Sequence, residues 1–421
     1  MDQGIMIRKQ KASFTLFFLF LLVTMANYYI YIGFAIKPYL IFSFLYLLVH
    51  ISSFYFQRLH GFEVAMLIFY LIYSFTGAFA LYSSASIRIL LGIILYIACY
   101  FIIKSIIGRT NNWTIERAIA DAGVFFNTLS LILYLIGLQR LGFDFEGDRI
   151  YEWGVMLDRN YPRLIGVLQD PNYFVFYNTL FFCYFLSYSK SMKNKVGLLL
   201  CILTNLLTFS RGGLLVLLII LCLYILKDKP LKRIKLLSGM VVSLSAAVYL
   251  AVFYMKLDLF SILESRIEDL AEDGGSGRLE LWGRAWDFFV SNKYLGIGAY
   301  NFPEYNLFQY GDSLQVHNTF LEILSESGLI GISCFCVFIL TVFIQLIQSK
   351  LYRNKPYLLL TFFGIILQMG FLSIIINDMF FLYLAILSTY LHNERNKNQI
   401  NQRGTGFYPV QSAGIGGDGK A

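Results

Sequence analysis

A helix needs about 20 consecutive apolar residues to cross the hydrocarbon core of a bilayer, and this chain returns to that length again and again. Apolar runs fall at 12–34, 38–56, 62–82, 87–107, 117–138, 172–188, 196–209, 212–226, 236–255, 329–347, 357–376 and 379–391, which predicts about twelve transmembrane helices. Each run is expected to be helical, because lipid offers its backbone N–H and C=O groups no partner outside the segment. The runs at 196–209, 212–226 and 379–391 are short and suit tilted or partial spans. Only 14% of residues are charged, against about 25% in an ordinary soluble domain. The 40 Phe and 30 Tyr fit lipid-facing surfaces and interfacial belts.

The links between runs set the orientation. With the N-terminus inside, the clusters Arg8/Lys9/Lys11, Lys104/Arg109, Lys190/Lys193/Lys195, Lys227 to Lys235, Lys350/Arg353/Lys355 and Arg395/Lys397/Arg403 all fall on the cytoplasmic side, as the positive-inside rule requires. An even number of spans follows, with both termini cytoplasmic. The net charge of +8 thus sits in short membrane-flanking clusters and argues against a nucleic-acid partner. The six cysteines lie inside apolar runs, so no disulfide framework is expected. The first run is long and lacks a small-residue cleavage site, so it reads as an uncleaved span. One transmembrane domain is expected over 1–395, with long outer loops at 139–171 and 256–328. A disordered cytoplasmic tail is expected over 396–421, Gly-rich from about Gly404.

Four constellations on the outer side could carry chemistry. Arg163 leads through Gly166 to Asp170-Pro171-Asn172, where Asp170 suits an N-cap and Pro171 the first helical turn; Arg163 has no such structural explanation. Ser210-Arg211-Gly212-Gly213 breaks the stretch 196–226, which unbroken would overshoot the bilayer. A charge there is costly and is by default a functional candidate. Gly277-Arg278 opens an amphipathic stretch with Leu279, Trp282, Trp286 and Phe289 on one side and Arg284 beside it. The nearby Asp269, Glu272 and Asp273 lack calcium-loop spacing. Last, His317 is the one outer histidine, standing just before Thr319-x-x-Glu322, which matches a capping box and predicts a helix start. No histidine cluster is present to bind zinc, and neither a metal nor a cofactor is expected.

In their order, Arg163-x-x-Gly166-x-x-x-Asp170-Pro171-Asn172, Ser210-Arg211-Gly212, Ser276-Gly277-Arg278, Gly296-x-Gly298 and His317-Asn318-Thr319-Phe320-Leu321-Glu322 through Gly328 and Gly331 resemble the O-antigen ligase and O-antigen polymerase superfamily. The resemblance covers roughly 160–335. It implies an all-α, GT-C-like membrane glycosyltransferase of the bacterial inner membrane. A hydroxyl of the acceptor would attack the anomeric carbon of a glycan carried on undecaprenyl diphosphate, with inversion and without metal. Matched positions nominate Arg211 and Arg278 for the diphosphate, with His317 as base or acceptor-orienting group. Arg163, Asp170, Asn172, Arg266 and Arg284 are further substrate-binding candidates. The polymerases of this superfamily carry Arg-x10-Gly motifs in two outer loops; Arg266 to Gly277 has that spacing, whereas no arginine in 139–171 does. Three readings stay open: a polymerase of O-antigen or capsule repeats, a ligase transferring glycan to a lipid A core, and a transporter or flippase of the lipid-linked oligosaccharide. Expected partners are that lipid-linked donor, membrane lipids, and the chain-length regulator and flippase of the same pathway.

Overall fold

The computed structural model describes residues 2–31, 35–147, 149–158, 160–227 and 277–404, with scattered positions between 234 and 253. The expected span over 236–255 lies largely outside the described residues; Arg266, Asp269, Glu272, Asp273, Ser276 and the tail beyond Gly404 lie wholly outside them. The described chain is mostly helical. Helices α1 (Asp2–Thr24), α2 (Pro38–Val49), α3 (Gly61–Thr76), α4 (Ser83–Gly108) and α5 (Asn112–Arg140) precede a small sheet. Then come α6 (Pro171–Ser187), α7 (Met192–Leu207), α8 (Arg211–Lys227), α9 (Arg278–Ser291), α10 (Phe302–Tyr310), α11 (Thr319–Gln348), α12 (Pro356–Met369) and α13 (Asp378–Gly404). The last runs beyond residue 395, where the domain was expected to end.

Among the described residues, four helical stretches are long and apolar enough to cross a membrane: Gly61–Phe79, Ser83–Gly108, Asn112–Arg140 and Thr319–Gln348. Ser13–Thr24, Pro38–Val49, Arg211–Leu226 and Pro356–Met369 are apolar but shorter. At 1.5 Å per residue, the 12 residues of α2 extend about 18 Å, well short of a ~30 Å hydrocarbon core. A polytopic membrane protein is therefore supported, but helix length does not confirm twelve spans.

The all-helical expectation needs a second correction. Strands β1 (Ile30–Tyr31) and β2 (Ala35–Ile36) pair antiparallel, and residues 150–164 form a three-stranded antiparallel sheet, β3 (Ile150–Glu152), β4 (Val155–Asp158) and β5 (Tyr161–Leu164), with Met156 opposite Arg163. Its period of two is visible in β4, where Val155 and Leu157 are buried between half-buried Met156 and Asp158. The hairpin turn presses on α5: a Cβ on Gly154 would stand 2.7 Å from the Tyr134 backbone nitrogen.

Contacts sort the interhelical links into two groups at opposite ends of the bundle. At one end Ser86 donates to the Ala299 carbonyl, Arg163 to Thr208 O, the His317 N–H to Ser373, and Lys37 pairs with Asp378. At the other, Arg109 reaches Ser53, Lys355 pairs with Glu116, Lys193 with Asp121 and Asn393 with Asn112. The expected basic clusters of these links share the second end, and the described parts of the two long loops share the first. Lys104 is an exception to its solvated reading. It is 1% exposed and pairs with Glu63 at 2.7 Å, whose carboxylate also accepts from Tyr100 at 2.5 Å and Ser388 at 3.2 Å.

A further contact ties the long loop to the bundle. Helix α11 breaks at Gly328 (φ 61°, ψ −161°), and residues 293–298 lie against the break. Ile297 and Gly298 N–H groups donate to Ser325 and Glu326 carbonyls, both at 2.9 Å, while Leu329 N–H donates to Lys293 O at 2.8 Å.

Removing one member of a buried ion pair strands the other charge, which costs about 3–5 kcal/mol. Lys104→Met is expected to lower the thermal unfolding midpoint in detergent markedly, and Lys104→Met with Glu63→Gln to recover much of the loss. An unchanged midpoint in the single variant would show that this pair does not stabilise the bundle.

Candidate functional site

The first end of the bundle gathers most of the expected site residues, each held by the turn that presents it. Asp170 is the N-cap of α6, its Oδ1 accepting from Asn172 N–H at 2.7 Å and Tyr173 N–H at 2.9 Å. Pro171 is the first helical residue, as its fixed φ favours. Asn172 turns outward and accepts from the Ser210 hydroxyl at 2.7 Å, joining α6 to the turn between α7 and α8. In that turn Phe209 takes a φ of 50°, and Gly213 N–H donates to Ser210 Oγ at 3.3 Å. A Cβ on Gly213 would meet Val175 at 2.9 Å and one on Gly212 would meet Phe371 at 3.1 Å. The two glycines thus let α8 begin against its neighbours, with Arg211 as its first residue.

Arg163 reaches the same turn from β5. It is 8% exposed, with Nε donating to Thr208 O at 3.0 Å and Nη1 paired to Asp158 at 2.7 Å. Its backbone strand and this fork fix the small sheet against the α7–α8 turn. Arg278 opens α9 directly after Gly277, whose φ of 70° is left-handed and suits glycine.

His317 has a φ of 53°, costly for a non-glycine residue. Its N–H donates to Ser373 Oγ at 3.0 Å, and the next residue caps α11. Here the expected capping box is corrected. The N-cap is Asn318, whose side chain accepts from Phe320 and Leu321 N–H at 3.1 and 3.2 Å. Thr319 instead stitches α11 to the link before α13, donating to Leu372 O at 2.6 Å and accepting from Ile374 N–H at 3.0 Å. Asn accepts the two orphan N–H groups as well as Thr would, which frees Thr319 for this tertiary bond and leaves Glu322 without a capping role.

Hydrogen bonds from Arg163 to Thr208, from Ser210 to Asn172, and from Tyr173 and His317 to Ser373 bring these turns together. Burial lowers the Arg278 guanidinium from its ordinary value, Asp170 opposes that, and Arg163 and Arg211 add to it. Burial likewise lowers the His317 imidazole, Arg278 lowers it further and Asp170 partly offsets both. Three arginines, Asp170 and His317 therefore form one field. Like charges held together in this way favour an anion between them, and guanidinium forks suit phosphate oxygens. Arg284 is engaged elsewhere: it binds Asn306 at 2.7 Å, Asp312 at 2.8 Å and Glu280 at 2.5 Å, and its guanidinium lies 4.1 Å from the Tyr310 ring centroid. These contacts lock α9 to α10 and the loop beyond, so Arg284 shapes the platform that carries Arg278. Among the described residues no three His, Cys, Asp or Glu side chains gather to hold a metal ion.

Ser373, which holds the His317 backbone and also accepts at its carbonyl from Tyr173 OH at 2.7 Å, was not anticipated. It lies in an apolar run, and no spacing signal distinguishes it. Asp378 had a usable signal, a carboxylate between two apolar runs.

Comparison with known proteins adds family information to this geometry. No curated protein matches the chain. The family model described as O-Antigen ligase matches residues 196–336, a region that begins in α7, includes Ser210-Arg211-Gly212, Arg278 and His317, and ends in α11. Over residues 196–336, about a third of its length, the chain is thus similar to the O-Antigen ligase family, which supports the resemblance to the O-antigen ligase and polymerase superfamily.

Proposed function

We propose that this protein is a polysaccharide polymerase of the bacterial inner membrane. It moves a glycan from undecaprenyl diphosphate to the nonreducing end of a second lipid-linked repeat at the outer face. The observation that carries the reading is the convergence of Arg163, Arg211 and Arg278 with His317 and Asp170 at one end of an apolar helix bundle, where hydrogen bonds join the turns that present them.

In this reading the arginine forks hold the donor's diphosphate. An acceptor hydroxyl oxygen forms the new bond to the anomeric carbon as the bond from that carbon to the diphosphate oxygen breaks. The electron pair leaves with the diphosphate, where the arginines stabilise the added negative charge. The hydroxyl proton goes to His317, whose neutral form is favoured by burial and by Arg278. Attack from the face opposite the leaving group gives inversion. Asp170 keeps Arg278 oriented, and Arg163 anchors the turn that carries Arg211.

Two loops support the polymerase over its relatives. The sheet of residues 150–164 and the α9–α10 platform approach the arginine field from different parts of the chain, which gives surface for two lipid-anchored glycans. The second reading is a ligase with a lipid A core as acceptor, favoured by the matched model's description as O-Antigen ligase.

Purified protein given one lipid-diphosphate-linked repeat holds both donor and acceptor if it is a polymerase. A ladder spaced by one repeat is expected, with polyprenyl diphosphate released at each step and no nucleotide required. Silence followed by transfer on adding lipid A core would make it a ligase, and movement across a bilayer without bond formation a transporter.

Arg211→Ala and Arg278→Ala should each abolish the ladder with membrane insertion intact. Lys at either position should rescue poorly, because an ammonium lacks the planar fork. Near-wild-type turnover by Arg211→Ala would remove it from the site.

A base must be unprotonated to act, and the lowered value of His317 keeps it so at neutral pH. Rate is therefore expected to hold through pH 7 and to fall only below the ordinary imidazole value of ~6.5. If His317→Ala retains that acid limb and most of the rate, another group takes the proton.

A further inference from the structure

A cavity of about 480 Å³ adjoins the arginine field on the far side of Ser373. Its volume lies within the ~300–1,000 Å³ range of small-molecule sites. Tyr173, Tyr300, Arg88, Gln315, Glu322 and Ser373 are among its walls. Ser373 is common to both regions, since it lines the cavity while accepting from the His317 backbone.

The polar groups of this cavity are unevenly satisfied. Glu326, one turn beyond Glu322 on α11, is fully engaged: it accepts from Tyr73 OH and, at 3.1 Å, from Phe302 N–H. Glu322 is only 3% exposed, and its Oε2 has no hydrogen-bond partner among the described residues. A buried acceptor left without a donor costs free energy, so this oxygen calls for a ligand that donates. The cations of the lining are already taken, Lys37 by Asp378 at 2.7 Å and Arg88 by Glu304 at 3.1 Å. With those cations paired, the cavity offers a second diphosphate no unpaired positive charge. Tyrosine faces and an unpartnered carboxyl oxygen suit a neutral ring that carries hydroxyls.

We infer that this cavity holds the terminal sugar of the acceptor glycan, with Glu322 Oε2 accepting from one of its hydroxyls. The inference rests on the transferase reading, and it separates the two substrates: the donor's charged diphosphate lies in the arginine field, and the acceptor's neutral ring lies behind Ser373. Glu322 is then a binding residue that sets which sugar is accepted.

Oligosaccharide freed by mild acid from the host's lipid-linked repeat is the probe, with binding followed by equilibrium dialysis against full-length protein in nanodiscs. Geranyl diphosphate, a diphosphate without sugar, is the competitor. Wild-type protein should bind the oligosaccharide without displacement by geranyl diphosphate, and Arg211→Ala should bind it equally well. Glu322→Ala should weaken it roughly tenfold, the loss of one hydrogen bond. Should Glu322→Ala fail to fold, Gln315→Ala at the half-exposed edge of the cavity carries the test with the same expected direction. Unaltered binding in a folded variant, or displacement by geranyl diphosphate, overturns the inference. If geranyl diphosphate itself fails to bind while cavity-dependent sugar binding persists, the transferase reading falls and the sugar site stands.

Discussion

The break in α11 at Gly328 is the constraint from which the site is built. A continuous helix would pair the Ser325 and Glu326 carbonyls internally; here they accept instead from Ile297 and Gly298 in the long loop. The exchange is possible because two glycines give way. A Cβ on Gly328 would stand 2.3 Å from the Tyr294 backbone, and one on Gly296 would stand 2.4 Å from that of Glu326. With the loop seated in this notch, α9 and α10 pack on the outer turns of α11 around Phe288, Phe302 and Val316. Arg278 and His317, 39 residues apart by number, are thereby held on one side of the same platform.

The opposite wall of the site depends on the α7–α8 turn. Thr208 receives Arg163, Ser210 binds Asn172, and Gly212 and Gly213 admit Phe371 and Val175. Three separate parts of the chain thus meet over the six residues of this turn. The fork of Arg163 is spent in this junction, whereas the Arg278 guanidinium is lowered first by burial and then by Arg163 and Arg211. The contrast separates an arginine that builds the wall from one that its burial makes costly to charge.

The sequence made the apolar runs legible because lipid imposes both length and composition. Among the described residues, helices lie within most of those runs, and the described basic links at Arg109, Lys193 and Lys355 share an end. What it hid were contacts between distant residues. Lys104 reads as one more flanking cation until Glu63 is brought beside it. Thr319-x-x-Glu322 satisfies a local capping rule that the adjacent Asn318 satisfies instead. The sheet at 150–164 was lost in a loop whose strands are only three or four residues long, too short for alternation to register. The arginines and His317 were visible because a charge or an imidazole between apolar runs has few structural reasons to be there. Ser373 and the Glu322 oxygen had no such mark.

The last helix also has a place in the order of assembly. Asp378 at its start meets Lys37, Tyr39 and Tyr177, and Ser388 within it meets Glu63. All of those partners are made earlier, Lys37 by more than three hundred residues. Because chains emerge N-terminus first at about 5–20 residues per second, Lys37 must spend tens of seconds before its counterion exists. The Lys37–Asp378 pair and the bond from Ser388 to Glu63 therefore tie the early helices to the last one only after α13 has been made, and until then the Lys37 ammonium has the Tyr96 hydroxyl as its side-chain partner.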